Sequence, residues 1–332
     1  MTNHRHDDLI DLTTKVKSSL LGLGTAPLGG LFSSVQESDS DDLINSALDN
    51  GIEFIDTAPL YGYGRAEMRI GRVISKKRRP LTLESKVGRV IRQVKSDKGL
   101  GSDKGLADFA DAVPDVEPVF DFSKSAILES FEESLKRLQV ESIDILLIHD
   151  ADDHLKQAID IAFPTLFELK QQGLIKAIGI GMNWVDNAAH MIRNTELDVA
   201  LIAGRYTLID QSAQDVLFPL ALSKNVSIIA GGVFNSGVLA NPVKGQTFNY
   251  APAPQEIIQK AQKVKEYLAK RNIKITAAAL QFPLRHSAVK MVLTGARHKN
   301  ELLSNIEDFD QNLPQDLWQQ MENDKIIDRM PN

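Results

Sequence analysis

A regular alternation of short apolar segments with longer amphipathic segments constrains the fold of this chain more than any other feature. Residues 143–148 are almost continuously apolar, as in a parallel strand that is covered on both faces. Residues 124–138 carry apolar side chains at the spacing of one helix face. Strands that alternate with helices in this way predict parallel β-α-β units.

Eight segments are predicted as strands, and a helical segment follows each of them: residues 20–25, 53–56, 81–86, 143–148, 176–180, 199–203, 226–230 and 289–294. Eight such units in 332 residues predict the α/β class and a single-domain (β/α)8 TIM barrel. The alternative is a doubly wound open sheet. However, the glycines in residues 23–30 lack the spacing and the helix start of a dinucleotide fingerprint.

Two segments fall outside the alternation. Residues 1–19 are polar and predict an N-terminal tail, in which His4 and His6 are expected to be mobile. Residues 87–122 are charged and show no clear periodicity, although they lie between the third strand and its helix. Loops of this length in compact domains are usually functional or disordered. Because this one follows the third strand directly, we expect a lid over a pocket.

The charge and composition exclude several classes of function. A net charge of −6 argues against nucleic acid or an anionic membrane as the main partner. Cysteine is absent, so disulfides, thiolate catalysis and Cys-ligated zinc are excluded. The chain shows neither the apolar core of a signal peptide nor a membrane-spanning run, which predicts a cytoplasmic protein. Nothing in the sequence indicates the oligomeric state.

Four polar residues lie at or just after the ends of three consecutive predicted strands: Asp56, Tyr61, Lys86 and His149. Neighbouring parallel strands are about 5 Å apart, so we expect these side chains to share one pocket. A buried lysine needs a carboxylate, and Asp56 is the nearest candidate. An acid, a phenol, an ammonium group and an imidazole can together give and take a proton at a carbonyl oxygen.

Each of the four also has a purely structural explanation, such as turn chemistry for Asp56 or packing for Tyr61. Their common position at the catalytic face of a barrel favours function instead. A metal-dependent hydrolase is a rival interpretation, because residues 149–154 contain several potential ligands. The acids among them suit the first turn of the next helix, so no catalytic metal is predicted.

These residues resemble the aldo-keto reductase family, and the resemblance extends from Leu23 to Asn305. Its most specific part is residues 51–62, and the four polar residues occupy the catalytic positions of the family. Within the family, residues 203–211 and 235–239 resemble the D-threo-aldose 1-dehydrogenases, including those of L-fucose and L-galactose. The pyridoxal 4-dehydrogenases share these segments.

The resemblance implies hydride transfer between a nicotinamide cofactor and a carbonyl or hemiacetal carbon. The expected reaction is oxidation of an aldose at C1 to a lactone. Pyridoxal 4-dehydrogenase and general carbonyl reductase activity are alternatives, and a cofactor-sensing regulatory binding module is a rival of another class. Tyr61 is expected to exchange the proton, Lys86 to favour its phenolate, Asp56 to hold Lys86 charged, and His149 to orient the substrate oxygen.

The resemblance also implies a cofactor site near the last strands, formed by Asn183, Phe234, Ser236, Gly237, Gly295, Ala296, Arg297, Glu301 and Asn305. Arg297 is expected to pair with a phosphate group. Glu301 stands where NADP-dependent members often have an arginine, which predicts NAD in preference to NADP. The stacking aromatic of the family is replaced by Gly231, so stacking on the nicotinamide is expected to come from Phe234 or Tyr206 or to be weaker.

The substrate pocket is expected to include Phe32, Tyr63, Asp150 and Trp184. Asp150 follows His149 directly and is placed to bond a sugar hydroxyl. The predicted partner is therefore a small molecule, namely an aldose, another carbonyl compound or pyridoxal.

Overall fold

The computed structural model describes residues 5–76, 80–94 and 109–331. The strands in them are β1 (Leu9–Asp11), β2 (Lys17–Ser19), β3 (Leu21–Gly24), β4 (Phe54–Asp56), β5 (Thr82–Val87), β6 (Arg89–Gln93), β7 (Val116–Phe120), β8 (Ile145–His149), β9 (Ala177–Met182), β10 (Val199–Ala203), β11 (Ser227–Gly231), β12 (Thr247–Phe248), β13 (Ala251–Pro252) and β14 (Val289–Gly295). Eight of these described strands close into a barrel in the order β3-β4-β5-β8-β9-β10-β11-β14.

All neighbouring strands of the barrel are parallel, and the barrel closes where β14 pairs with β3. There Val292 lies opposite Leu21 and Gly295 opposite Gly24. The predicted TIM barrel is therefore confirmed, and the open-sheet alternative is wrong. Because the strands are parallel, their carboxyl ends, and the loops that follow them, meet on one face of the molecule.

The α-helices are α1 (Glu37–Asp49), α2 (Arg65–Ile74), α3 (Lys124–Leu138), α4 (Leu155–Gln157), α5 (Phe163–Gln171), α6 (Val185–Asn194), α7 (Leu217–Ser223), α8 (Gln255–Ala269), α9 (Ile275–Gln281), α10 (Lys299–Phe309) and α11 (Leu317–Asn323). Helix α3 illustrates how the sequence sets their ends. The Ser123 side chain accepts a hydrogen bond from the amide of Ala126 at its start, and Gln139 adopts a left-handed conformation after its last residue.

The apolar core has two layers. One layer lies between the strands and the surrounding helices. The other fills the interior of the barrel and consists of Leu12, Val16, Phe54, Ile145, Leu147, Ala177, Val199, Leu201, Ile229, Met291 and Leu293. Since successive residues of a strand point to opposite faces, most barrel strands contribute to both layers, whereas β3 and β5 contribute apolar side chains only to the outer one. The catalytic face lies beyond the end of the inner layer.

The N-terminal segment does not form the mobile tail that its polarity predicts. Strands β1 and β2 make an antiparallel hairpin, and Leu12 and Val16 at its turn insert into the barrel interior. The buried His6 side chain lies 2.8 Å from Asp310 Oδ2 and 2.7 Å from the carbonyl oxygen of Asn50. The prediction of mobility was wrong for His6, since its partners are distant in sequence. His4 lies outside the described residues.

The long segment after β5 contains regular structure that its sequence does not reveal. Strands β6 and β7 pair in an antiparallel hairpin next to the catalytic face. Residues 95–108, in the middle of the expected lid, lie outside the described residues. Phe109 returns to the barrel, and its ring centroid lies 6.0 Å from that of Tyr61. Both described ends of the segment therefore border the predicted pocket.

No helix among the described residues combines the length and the apolar character that crossing a membrane requires.

Candidate active site

The structure brings three of the four polar residues into direct contact at the end of the barrel. The Lys86 ammonium donates hydrogen bonds to Asp56 Oδ1, to the carbonyl oxygen of Thr57 at 2.9 Å and to the Tyr61 hydroxyl at 3.2 Å. The His149 ring meets the Tyr61 ring edge-on, with 6.2 Å between their centroids. A phenol, an ammonium group and an imidazole thus surround one small volume.

The Lys86–Asp56 pair is buried, with 1% and 4% of the residues exposed. Burial lowers the pKa of Lys86, but the charge of Asp56 and the Tyr61 hydroxyl raise it above its ordinary value. Lys86 therefore stays protonated at neutral pH. Removing one partner would leave an unpaired buried charge, which costs about 3–5 kcal/mol.

The Tyr61 phenol holds its proton more firmly than the sequence suggests. Burial raises its pKa well above the ordinary value, and the negative charge of Asp56 raises it further. The Lys86 ammonium lowers the pKa of Tyr61 but does not outweigh these two effects. Tyr61 is therefore a neutral phenol whose oxygen accepts from Lys86 and whose proton is available to a bound oxygen atom. The expected phenolate needs further positive charge nearby or an alkaline medium.

The His149 imidazole is neutral at physiological pH. Burial lowers its pKa well below the ordinary value, and the positive charges of Lys86 and Arg89 act in the same direction. Its Nδ1 atom is buried and has no hydrogen-bond partner among the described residues. A neutral imidazole presents one N–H donor and one acceptor, which suits it to orient an oxygen atom without charging it.

A cavity opens above these residues. Its polar lining consists of Tyr61, Lys86, Arg89, His149, Asp150 and Asn183, and its apolar lining includes Leu31, Leu60, Phe109, Met182, Leu201 and Tyr250. Polar and apolar groups that line one cavity can together orient a small molecule.

Asp150 connects the polar groups of the cavity. It accepts hydrogen bonds from Arg89 Nη2 at 3.0 Å and from Asn183 Nδ2 at 3.2 Å, and it lies 3.6 Å from His149 Nε2. Asp150 adopts a left-handed backbone conformation, with φ of 43°, to reach this position. The sequence reasoning missed Arg89, although a charged residue three positions after Lys86 was an available signal.

A groove leads from this cavity towards β14. Two further cavities, of about 850 and 1410 Å³, adjoin it through shared wall residues, and the last one ends at Arg297 and Glu301. Further residues predicted for the cofactor or substrate also line them: Phe32, Phe234, Ser236, Gly237, Gly295 and Ala296. A Cβ atom at Gly295 would lie 3.0 Å from the Pro27 side chain, which is closer than ordinary van der Waals contact, so glycine suits this part of the floor. The elongated shape fits an extended dinucleotide.

Arg297 and Glu301 pair with each other at the far end of the groove. Arg297 Nη2 donates to Glu301 Oε1 at 2.9 Å, and the Arg297 amide donates to Glu301 Oε2 at 2.8 Å. Burial raises the pKa of Glu301, but its bonds to Arg297 outweigh this and lower it. The pair therefore remains ionised. Asn305 is buried and bonds Thr294 Oγ1 at 3.0 Å, so it supports β14 from behind the groove.

Comparison with known proteins agrees with this geometry. Residues 20–325 match the sequence pattern of the aldo/keto reductase family. The chain belongs to the aldo/keto reductase family. Members of this family are oxidoreductases that use nicotinamide cofactors, and this protein is one of them.

Two relatives with named activities are at least 33% identical to this aldo/keto reductase over nearly the whole chain. It is 35% identical to a pyridoxal 4-dehydrogenase of Microbacterium luteolum, over 95% of this chain and 96% of the relative. It is 33% identical to a D-threo-aldose 1-dehydrogenase of a Pseudomonas species, over 92% and 94%. Among solved structures, a glycerol dehydrogenase from Gluconobacter oxydans has a TM-score of 0.75 at 24% identity, over 98% and 97% of the two chains, which shows the shared fold.

Some predicted residues of this aldo/keto reductase lie away from the three cavities. Tyr63 packs beside Phe109 with its ring centroid at 6.4 Å, and Trp184 lies on the surface against the Arg205 guanidinium. The suggestion that Tyr206 stacks on a nicotinamide was wrong, because its ring is buried elsewhere, 4.8 Å from that of Phe218. The predictions from sequence did not include Tyr250, which lines both the catalytic cavity and the groove.

Potential metal sites were a rival reading of residues 149–154. Within residues 5–76, 80–94 and 109–331, no three His, Asp or Glu side chains are grouped so as to hold a metal ion. His154 instead packs against Phe120 and Phe122, with ring centroids at 5.1 and 5.3 Å.

Proposed function

We propose that this aldo/keto reductase is an NAD-dependent dehydrogenase that oxidises an aldose, as its cyclic hemiacetal, at C1 to a lactone. The observation that carries the proposal is the contact of the Tyr61 hydroxyl with a charged lysine at the floor of a cavity that continues into a groove ending at Arg297 and Glu301. Oxidation removes a hydride from C1 and a proton from its hydroxyl group. When bound, NAD supplies the hydride acceptor at its nicotinamide ring.

The residues of the chain would manage the proton and the orientation. Neutral His149 holds the substrate oxygen, and Tyr61 accepts the proton in oxidation or donates it in reduction. Lys86 stabilises the phenolate that oxidation requires, while Asp56 keeps Lys86 charged and in place. Because burial raises the pKa of Tyr61, we expect oxidation to be faster at alkaline pH and reduction to be favoured near neutrality.

An aldose suits the two kinds of wall in the catalytic cavity. Arg89 and Asp150 place a donor and an acceptor side by side, which matches neighbouring sugar hydroxyls. Opposite them, the rings of Phe109 and Tyr250 can pack on the apolar face of a sugar. These aromatic rings, together with the 35% identical relative, support pyridoxal as a second candidate, oxidised by the same chemistry.

The preference for NAD over NADP rests on Glu301. Its carboxylate engages Arg297, the cation that borders the last part of the groove. A 2′-phosphate there would meet a carboxylate and a guanidinium that is already paired, whereas ribose hydroxyls can donate to Glu301.

A small panel of substrates tests the proposal. NADH or NADPH formation is measured by its near-ultraviolet absorbance with L-fucose, L-galactose, D-arabinose and pyridoxal, with and without EDTA. We expect EDTA-insensitive oxidation of at least one aldose with NAD, and the lactone as product. Oxidation of pyridoxal alone would select the second candidate. Cofactor binding without turnover of any substrate would overturn the proposal in favour of a cofactor-sensing module.

A further inference from the structure

Glu84 is a buried carboxyl group that the proposed reaction does not use. It lies on β5 two residues before Lys86, so both side chains point into the barrel. Across the sheet it is in register with Asp56 on one side and with Ile145 on the other. The residue is 0% exposed. A second carboxyl group therefore lies directly behind the Lys86–Asp56 pair.

No donor among the described residues bonds to either oxygen of Glu84. Lys86 cannot donate to Glu84, because its three N–H groups are already directed to Asp56, Thr57 and Tyr61. An ionised carboxylate without donors is strongly unfavourable inside a protein. A protonated carboxyl group, by contrast, carries its own donor.

Asp56 is the acceptor that such a donor would meet. It is the residue in register with Glu84 on the neighbouring strand, and both side chains point into the barrel, yet two ionised carboxylates cannot bond to each other. The charged groups that face Glu84 are Asp56 on β4 and Lys86 on its own strand, whereas β8 presents the apolar Ile145. Burial and the charge of Asp56 raise the pKa of Glu84 well above its ordinary value, and Lys86 opposes this only in part.

We propose that Glu84 keeps its proton at neutral pH and donates it in a hydrogen bond to Asp56, so that two carboxyl groups and one ammonium group together carry no net charge. Glu84 is then a positioning residue. It spreads the charge of Asp56, which weakens the effect of that charge on Tyr61. Its influence on turnover rests on the proposed proton transfer through Tyr61, whereas its protonation does not.

Infrared spectroscopy tests the protonation directly, without any substrate. A protonated carboxyl group has a C=O stretching band that ionised carboxylates lack, and the band shifts in D2O. We expect the wild-type protein to show such a band at a pH well above the ordinary glutamate pKa of about 4.3. We expect Glu84→Gln to lack the band. Glu67→Gln is the matched control, because Glu67 is also 0% exposed but is bonded by Arg137 and Ser85. It should leave the band unchanged.

The pH profile of kcat/KM for oxidation tests the positioning role. Glu84→Gln retains a neutral donor, so its profile should stay within about twofold of wild type. Glu84→Met retains the length of the side chain but cannot donate. Asp56 then acts more strongly on Tyr61, so the alkaline rise should move to higher pH and kcat/KM near neutrality should fall by about tenfold. NADH binding and thermal melting are measured for each variant to identify misfolding.

The possible outcomes distinguish failure of this inference from failure of the proposed function. Absence of the band from the wild-type protein, or an acidic shift of the profile in Glu84→Gln, would show that Glu84 is ionised and overturn the inference. A band with an unchanged Glu84→Met profile would remove the positioning role. If the wild-type protein oxidises no substrate, the proposed function fails, and the infrared band still decides the state of Glu84.

Discussion

At the scale of single residues, the chemistry of the site depends on neighbours more than on residue type. Tyr61, which is partly buried, and His149, which is buried, both lie beside Lys86. Desolvation disfavours the charged form of each, so it raises the pKa of the phenol and lowers that of the imidazole. It keeps the phenol protonated and the imidazole unprotonated. At neutral pH the pair therefore offers a proton donor next to a neutral oxygen-binding group.

Replacing Tyr61 by phenylalanine should remove the proton carrier and little else. We expect kcat to fall by about 10²–10⁴-fold, the usual contribution of general acid–base catalysis, with the Kd for NADH unchanged. Tyr63→Phe is the matched control, since Tyr63 lies outside the three cavities, and it should keep its activity. Wild-type turnover by Tyr61→Phe would exclude Tyr61 from the reaction.

Arg89 belongs to the same scale, because its planar guanidinium both pairs with Asp150 and stacks at 4.1 Å from the centroid of Phe120. Lysine keeps the charge but not this shape. We expect Arg89→Lys to raise the KM for the sugar by about tenfold and to leave the KM for NAD unchanged, as measured by initial rates. Arg92→Lys, whose ion pair with Glu129 is exposed, should leave both constants unchanged. Equal effects of the two variants would contradict a substrate role for Arg89.

At the scale of secondary-structure elements, the sequence predicts those strands and helices whose own residue pattern determines them. The barrel strand predicted at residues 143–148 is found at Ile145–His149, because a continuous apolar run is typical of a parallel strand that is buried on both faces. The β1–β2 and β6–β7 hairpins were missed, since their short strands mix polar and apolar residues and depend on distant partners. Tyr250 was missed for a similar reason: a turn after β12 brings it to the cavity.

The N-terminal hairpin gives a stability prediction at this scale. Leu12 is 0% exposed inside the barrel, whereas Leu9 in the same hairpin is 69% exposed. We expect Leu12→Ala to lower the free energy of unfolding by about 2–5 kcal/mol, through lost burial and the cavity it leaves. Leu9→Ala should change it by less than about 0.5 kcal/mol. Denaturation by urea measures both, and similar values would show that the hairpin does not stabilise the barrel.

At the scale of the whole molecule, the groove depends on loops from strands that are far apart in sequence. Its walls include Pro27 after β3, Phe234 after β11 and Gly295 at the end of β14. Only closure of the barrel brings these segments together. The sequence could name residues at the ends of strands, but it could not show that Arg297 is already engaged by Glu301, because that depends on the final side-chain packing.

Cofactor preference is a prediction at this scale. Glu301→Gln removes the carboxylate and releases Arg297 to bind a 2′-phosphate. We expect the KM for NADP to fall by about tenfold while the KM for NAD rises. Glu307→Gln removes the same charge from an exposed position on the same helix and should change neither constant. A wild-type enzyme that already has a lower KM for NADP than for NAD would refute the proposed preference.

The pairing of β14 with β3 has a consequence for biosynthesis. Residues 21–24 leave the ribosome early, but their partners at residues 292–295 are made 271 residues later. Until then the nascent chain has two unprotected sheet edges, which are the surfaces most prone to intermolecular association. Translation that stalls before this point should therefore yield insoluble fragments, and chaperone capacity should limit the yield of active enzyme.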